Sequence, residues 1–229
     1  MQREDYLLAW IRRYLRWLAE ILGFVKVADY EQALRRAETA LRGLLNMGVD
    51  AALAADESEL AARLALGEFS SETREKCLIL AALFYQIGRA AAGKNDAALA
   101  RRARLKALHI LLGIRLRPDE TALPDYLPSV ERIVKELDGA PLPTRTAAAL
   151  MHYFEQEGRF GEAFGWLRRT LENAPRQDEA REIALGFCRR MAVLSPETLR
   201  AGGLNPEEIE TTRKALEAGA ANRPSSDPR

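Results

Sequence analysis

Apolar residues return along this chain at the three- and four-residue steps of an amphipathic helix, and almost nowhere at the two-residue step of a half-buried strand. Residues 3–22 show it first: Tyr6, Leu7, Trp10, Ile11, Tyr14, Leu15, Trp17, Leu18 and Leu22 form a wide apolar sector opposite Arg12, Arg13, Arg16 and Glu20. The pattern then predicts helices over 29–45, over a short stretch opened by the capping box of Asp56 and Glu59 and ending near Leu66, and over 71–92, 95–112 and 128–137. Ser70 is the expected N-cap of the 71–92 helix, which is apolar at Cys77, Leu80, Ala81, Phe84 and Ile87. Residues 144–175 read as two helices folded back at Gly158, and 178–194 as one more. Ser195-Pro196 and Asn205-Pro206-Glu207-Glu208 each set a capping side chain before a proline and an acid, which starts two terminal helices joined by a glycine turn at 201–204. Roughly nine to eleven helices are expected in all.

Prolines interrupt the periodicity at 113–128 and again at 138–143, and both stretches predict kinks. The last residues, 220–229, carry almost no apolar content and are expected to be a disordered tail. The chain up to residue 219 is therefore expected to be one all-α domain.

Composition agrees: apolar residues make up 48% and aromatics 7%, with alanine and leucine dominant, which favours helix. Thirty-four Lys and Arg against 33 Asp and Glu leave a formal charge of +1, so no global field draws in nucleic acid or an anionic membrane. Cys77 and Cys188 lie in apolar helical segments and are expected to be reduced, buried thiols of a cytoplasmic protein. No apolar run approaches the roughly 18–20 residues that span a bilayer.

The 144–175 stretch resembles one tetratricopeptide (TPR) repeat, with Leu150, Phe154, Phe160, Ala163, Leu167, Leu171 and Pro175 on that family's apolar, small or terminal positions. Ala147 and Met151 stand where the pattern prefers tryptophan and glycine. Trp17, Phe24, Tyr30, Ala33, Ala37, Ala40 and Leu41 fit a first repeat; Phe84, Ile87, Gly88, Ala100, Ala107 and Leu108 fit a second. The order of REDYLL, DYEQAL, GRFGEAFGWL and LSPETLRAGGLNPEEIE also resembles a bacterial family of TPR-like proteins known only as a domain of unknown function. These resemblances imply a TPR-like α-α superhelix, a solenoid of antiparallel helix pairs with degenerate repeats, which presents a surface to a protein or peptide and catalyses nothing. They also imply a concave groove lined by the first helix of each pair. Its outward positions would be Tyr85, Arg89, Arg145, His152, Glu155 and Gln156, with Arg89 and Arg145 suited to a peptide carboxylate.

Other chemistry finds little purchase. Gly88 to Asn95 fits G-x4-G-K, then places asparagine where a phosphate loop needs Ser or Thr for magnesium, and the stretch lies on a helix with no strand before it. His109 and His152 lack partners at metal-ligand spacing, neither cysteine has a nucleophile turn, and Glu155, Glu157 and Glu162 read as a solvated edge. No cofactor, metal or catalytic residue is expected. The basic residues at 94, 101, 102, 104, 106, 115 and 117 surround their helix without interleaved aromatics, so they are expected to pair with the acidic 119–138 segment and not to bind nucleic acid. The sector of the first helix needs more than one neighbour. It is expected to pack against other helices; a homodimer through Tyr6, Trp10, Tyr14 and Trp17 is the alternative use, coupled to a small-ligand or polyanion (RNA) sensor, and a membrane-interface helix is a third.

Overall fold

A computed structural model of the chain describes residues 2–65, 71–117, 123–137, 140–173 and 177–221. Twelve helices and no strand lie among the described residues: α1 (Gln2–Lys26), α2 (Tyr30–Leu45), α3 (Val49–Ala54), α4 (Glu57–Leu64), α5 (Ser71–Gly93), α6 (Ala97–Arg115), α7 (Val130–Glu136), α8 (Thr144–Gln156), α9 (Phe160–Asn173), α10 (Gln177–Ala192), α11 (Pro196–Ala201) and α12 (Pro206–Ala221). The expected N-cap at Ser70, the proline at 175, parts of both proline-rich breaks, the Tyr6 side chain and the tail beyond Ala221 lie outside the described residues.

Local capping chemistry sets five of the helix starts. Asp29, Asp56, Asp96, Ser129 and Ser195 each accept a hydrogen bond from a backbone amide of the following first turn, which satisfies one of the donors a helix N-terminus leaves open. The first helix runs longer than expected. α1 continues past Leu22 to Lys26, because Gly23 stands on its exposed side and breaks no packing there; the chain reverses at Ala28, whose φ is 61°. α3 has no side-chain cap of its own. Its first amide, on Val49, donates to Glu38 Oε2 of α2 at 2.7 Å, so its cap comes from a different helix.

The fold divides into two compact units between Ala140 and Pro141. In the first, α1 with α2 and α5 with α6 form two hairpins, and α1, α2, α4 and α6 all pack on α5. From Cys77 to Ala91 only Arg89 of α5 is not fully buried. A helix apolar on every side needs neighbours on every side, and CLILAALFYQI supplies that composition. Small residues let those neighbours come close: Ala33, Ala37 and Ala40 of α2 and Ala100, Ala103 and Ala107 of α6 are buried. α7 rests on α6, whose Arg104 Nη1 donates to the Glu136 carbonyl at 3.3 Å and whose Arg101 donates to the carbonyls of Leu137 and Ala140, both at 3.4 Å. Cations there complement the negative end of a helix.

In the second unit α8 and α9 form a hairpin that turns at Gly158, with φ of 71°. The Arg159 amide bonds to the Phe154 carbonyl at 2.9 Å and the Gly158 amide to the Glu155 carbonyl at 3.1 Å, the paired bonds of a Schellman turn. α10 packs on α9 and α12. The glycine turn after α11 docks on this hairpin: the Gly161 amide donates to the Gly202 carbonyl at 2.9 Å, and a Cβ on Gly161 would run into the Gly203 carbonyl. Two segments about 40 residues apart in sequence thus meet backbone to backbone.

Candidate functional site

α8 buries Thr146, Ala147, Leu150, Met151, Tyr153 and Phe154 against its own unit. The opposite side carries Arg145, Ala149, His152 and Gln156 at steps of four, three and four, so they form one stripe along the helix. Arg145, His152 and Gln156 are exposed and Ala149 is half-buried. The stripe offers a guanidinium, an imidazole and an amide over a small-residue gap.

Glu155 lies beside it and is held from another helix. Arg190 of α10 grips its carboxylate with both ends of the guanidinium fork, Nε to Oε1 at 2.6 Å and Nη2 to Oε2 at 2.9 Å. His152 Nδ1 comes to 3.6 Å of Oε2. Burial pushes the Glu155 carboxyl up, but the Arg190 and His152 side chains outweigh it and hold the carboxyl down to about 2; the same bond raises Arg190. A carboxylate so firmly ionised is a poor proton carrier near neutrality, and it serves here to fasten α8 to α10.

The sign of that contribution is testable. A carboxyl held below its ordinary value of 4.5 stabilises the fold fully above that value and loses the contribution as pH falls toward 2. The Glu155 side chain is 14% exposed and Arg190 is 44% exposed, so solvent screening lowers the yield. Glu155→Gln is expected to cost about 2 kcal/mol at pH 7, measured by urea unfolding, with the gap to wild type narrowing below pH 4.5 and closing near pH 2.

Tyr85 and Arg89 lie in the other unit, on α5. Tyr85 does not face outward: it is 2% exposed, its hydroxyl donates to Glu136 Oε1 at 2.7 Å, and the Arg132 guanidinium stands 5.7 Å from its ring centre. The correction has a packing cause. α7 covers the side of α5 that sequence periodicity leaves open, and Arg104 Nε, 3.1 Å from Glu136 Oε2, completes the ionic cover. Burial, then the Glu136 carboxylate, push the Tyr85 phenol up to about 12. Arg89 is half-buried and donates to Gln86 Oε1 at 3.2 Å. Of the six groove residues, then, the structure sets four together on α8.

The remaining sequence motifs resolve into packing. Gly88 and Gly93 are close-approach glycines of α5: the stem of Arg104 and the Ala100 carbonyl press on the first, and the Tyr30 ring on the second. The helix ends at Gly93, Asn95 takes a φ of 60°, and Asp96 caps α6, with no strand beside them. Lys106 of the basic run donates to the Ala55 carbonyl at 2.6 Å and to Glu57 at 3.0 Å, and His109 Nδ1 lies 3.1 Å from the same carboxylate oxygen. The run is thus spent partly on α7, as expected, and partly on α4. Both thiols are free and buried, and burial pushes Cys77 up to about 11. On α1, Tyr14 is 3% exposed, with its ring centre 4.2 Å from Trp10 and 4.9 Å from Trp17. Both tryptophans are half-buried, under the cations of Lys76 and Arg36.

Arg190 and Glu136 are the functional partners that sequence reasoning missed. Each lies 35 or more residues from its mate, and no local signal marks either. Among the described residues no group of three or more histidine, cysteine or acidic side chains could hold a metal ion, and no helix is long and apolar enough to cross a membrane. Comparison of the chain with models of known protein families, with curated protein sequences and with solved structures found no match.

Proposed function

We propose that the chain is a non-catalytic helical scaffold of TPR-like, degenerate repeats, which binds a protein or peptide on the outward stripe of α8. The observation that carries this reading is the arrangement of Arg145, His152 and Gln156 on an exposed helix face beside a Glu155 locked by Arg190. A rigid helix with spaced polar donors and acceptors suits recognition. The three hairpins α1–α2, α5–α6 and α8–α9 are the segments that carry the repeat-like small residues, which supports the architecture of the proposal. The reading that α1 signals through dimerisation has less support, since Tyr14 is buried and both tryptophans are partly covered within the chain.

A displayed-peptide library selected on the wild-type protein tests this. Selected peptides are expected to bind Arg145→Glu/His152→Glu at least about tenfold more weakly, with the far-ultraviolet circular dichroism unchanged, because charge reversal on a binding face costs about 1.4 kcal/mol or more. Equal binding to both proteins overturns the reading.

A further inference from the structure

The outward side of α1 carries a run of exposed cations. Ala9, Arg12, Arg16, Ala19, Gly23 and Lys26 succeed one another at steps of three and four, with Arg13 adjoining, and all seven are exposed. No carboxylate among the described residues pairs with Arg12, Arg13 or Arg16; the nearest acid of the helix, Glu20, is taken by Arg36 at 2.5 Å. Two other helices of the same unit show the reverse. On α2, Arg35 pairs with Glu31 and Arg42 with Glu38, and on α6 the cations at 101, 102, 104 and 106 all have partners.

We infer that this stripe is a docking surface for an acidic helical segment of another protein. Charge complementarity chooses the sign of the partner: three guanidiniums within five residues, plus Lys26 at the end, present paired donors to carboxylates. The small residues choose its shape. Ala19 and Gly23 lie between the cations, and a Cβ on Gly23 would have no neighbour within 4 Å, so a second helix can lay its backbone there while its acids reach the arginines on either side. Nucleic acid fits less well, since the stripe has no exposed aromatic ring for a base to stack on. A lipid surface fits less well too: Val27 and Val193 are the only large apolar residues strongly exposed among those described, and the stripe itself holds none.

The test uses the full chain and three fluorescent probes: a glutamate-rich helical peptide, polyuridylate, and phosphatidylserine vesicles. The peptide is expected to bind with an affinity that falls as sodium chloride rises, and to lose at least about tenfold with Arg12→Glu/Arg13→Glu/Arg16→Glu. Gly23→Leu changes no charge and fills the open gap, and is expected to weaken the peptide at least about fivefold. Failure of the peptide to bind, tighter binding of polyuridylate or of the vesicles, or wild-type affinity in Gly23→Leu would each overturn the inference. Both variants are read beside their circular dichroism, and exposed positions on one face of a helix should leave it unchanged.

Discussion

Replacing Phe84 by alanine is expected to cost about 3–5 kcal/mol, the largest single loss available in the first unit. The ring is fully buried at the middle of α5, between Leu83 and Tyr85, and residues before and after it on the same helix are buried as well. The cavity left by a lost ring cannot be refilled from solvent, nor by rotation of α5, since every side of the helix is already occupied. Urea unfolding followed by circular dichroism measures it. A loss under about 1 kcal/mol would mean that α5 has room to relax, and that the all-round burial described here is wrong.

In the second unit the corresponding experiment is Gly161→Ala, expected to cost about 2–4 kcal/mol. An added methyl there meets the carbonyl of Gly203, and a methyl on Gly202 meets the Gly158 carbonyl and the Phe160 ring, so both glycines hold two backbones in contact. Gly203 provides the control. It has open space around it but a φ of 78°, so alanine there suffers only the left-handed penalty of about 1–2 kcal/mol. The expected order is Gly161→Ala worse than Gly203→Ala, and hydrogen exchange at the Gly161 amide should quicken in the former as its bond to Gly202 is lost. Equal losses in both variants would show that conformation, and not contact, is why glycine stands at these sites.

Helices and their caps were legible because their causes are local. Asp56 and Ser195 act on amides three residues away, and Gly158 supplies the one backbone geometry that its turn needs. The start of α3 carries no local mark, because its capping acid, Glu38, lies eleven residues upstream on another helix. Tyr85 was read as outward because its own helix leaves that side open; only α7, more than 40 residues on, closes it. The repeat resemblance singled out His152, Glu155 and Gln156, yet the Arg190 that determines the protonation of Glu155 comes from α10. Gly88 and Gly93 imitated half of a phosphate-binding signature because close packing demands the same residue as close approach to phosphate.

The burial of α5 on all sides also bears on how the chain is made. α1, α2 and α4 are synthesised before the helix they cover, so Leu18, Ile21, Leu41 and Leu60 emerge with no α5 to pack on. A nascent chain that stops short of residue 93 therefore carries one half of an interface with the other half missing, and gains its core only when α5 and α6 follow. The N-terminal half-unit is in this sense a waiting cradle, its apolar faces open until the rest of the unit has been made.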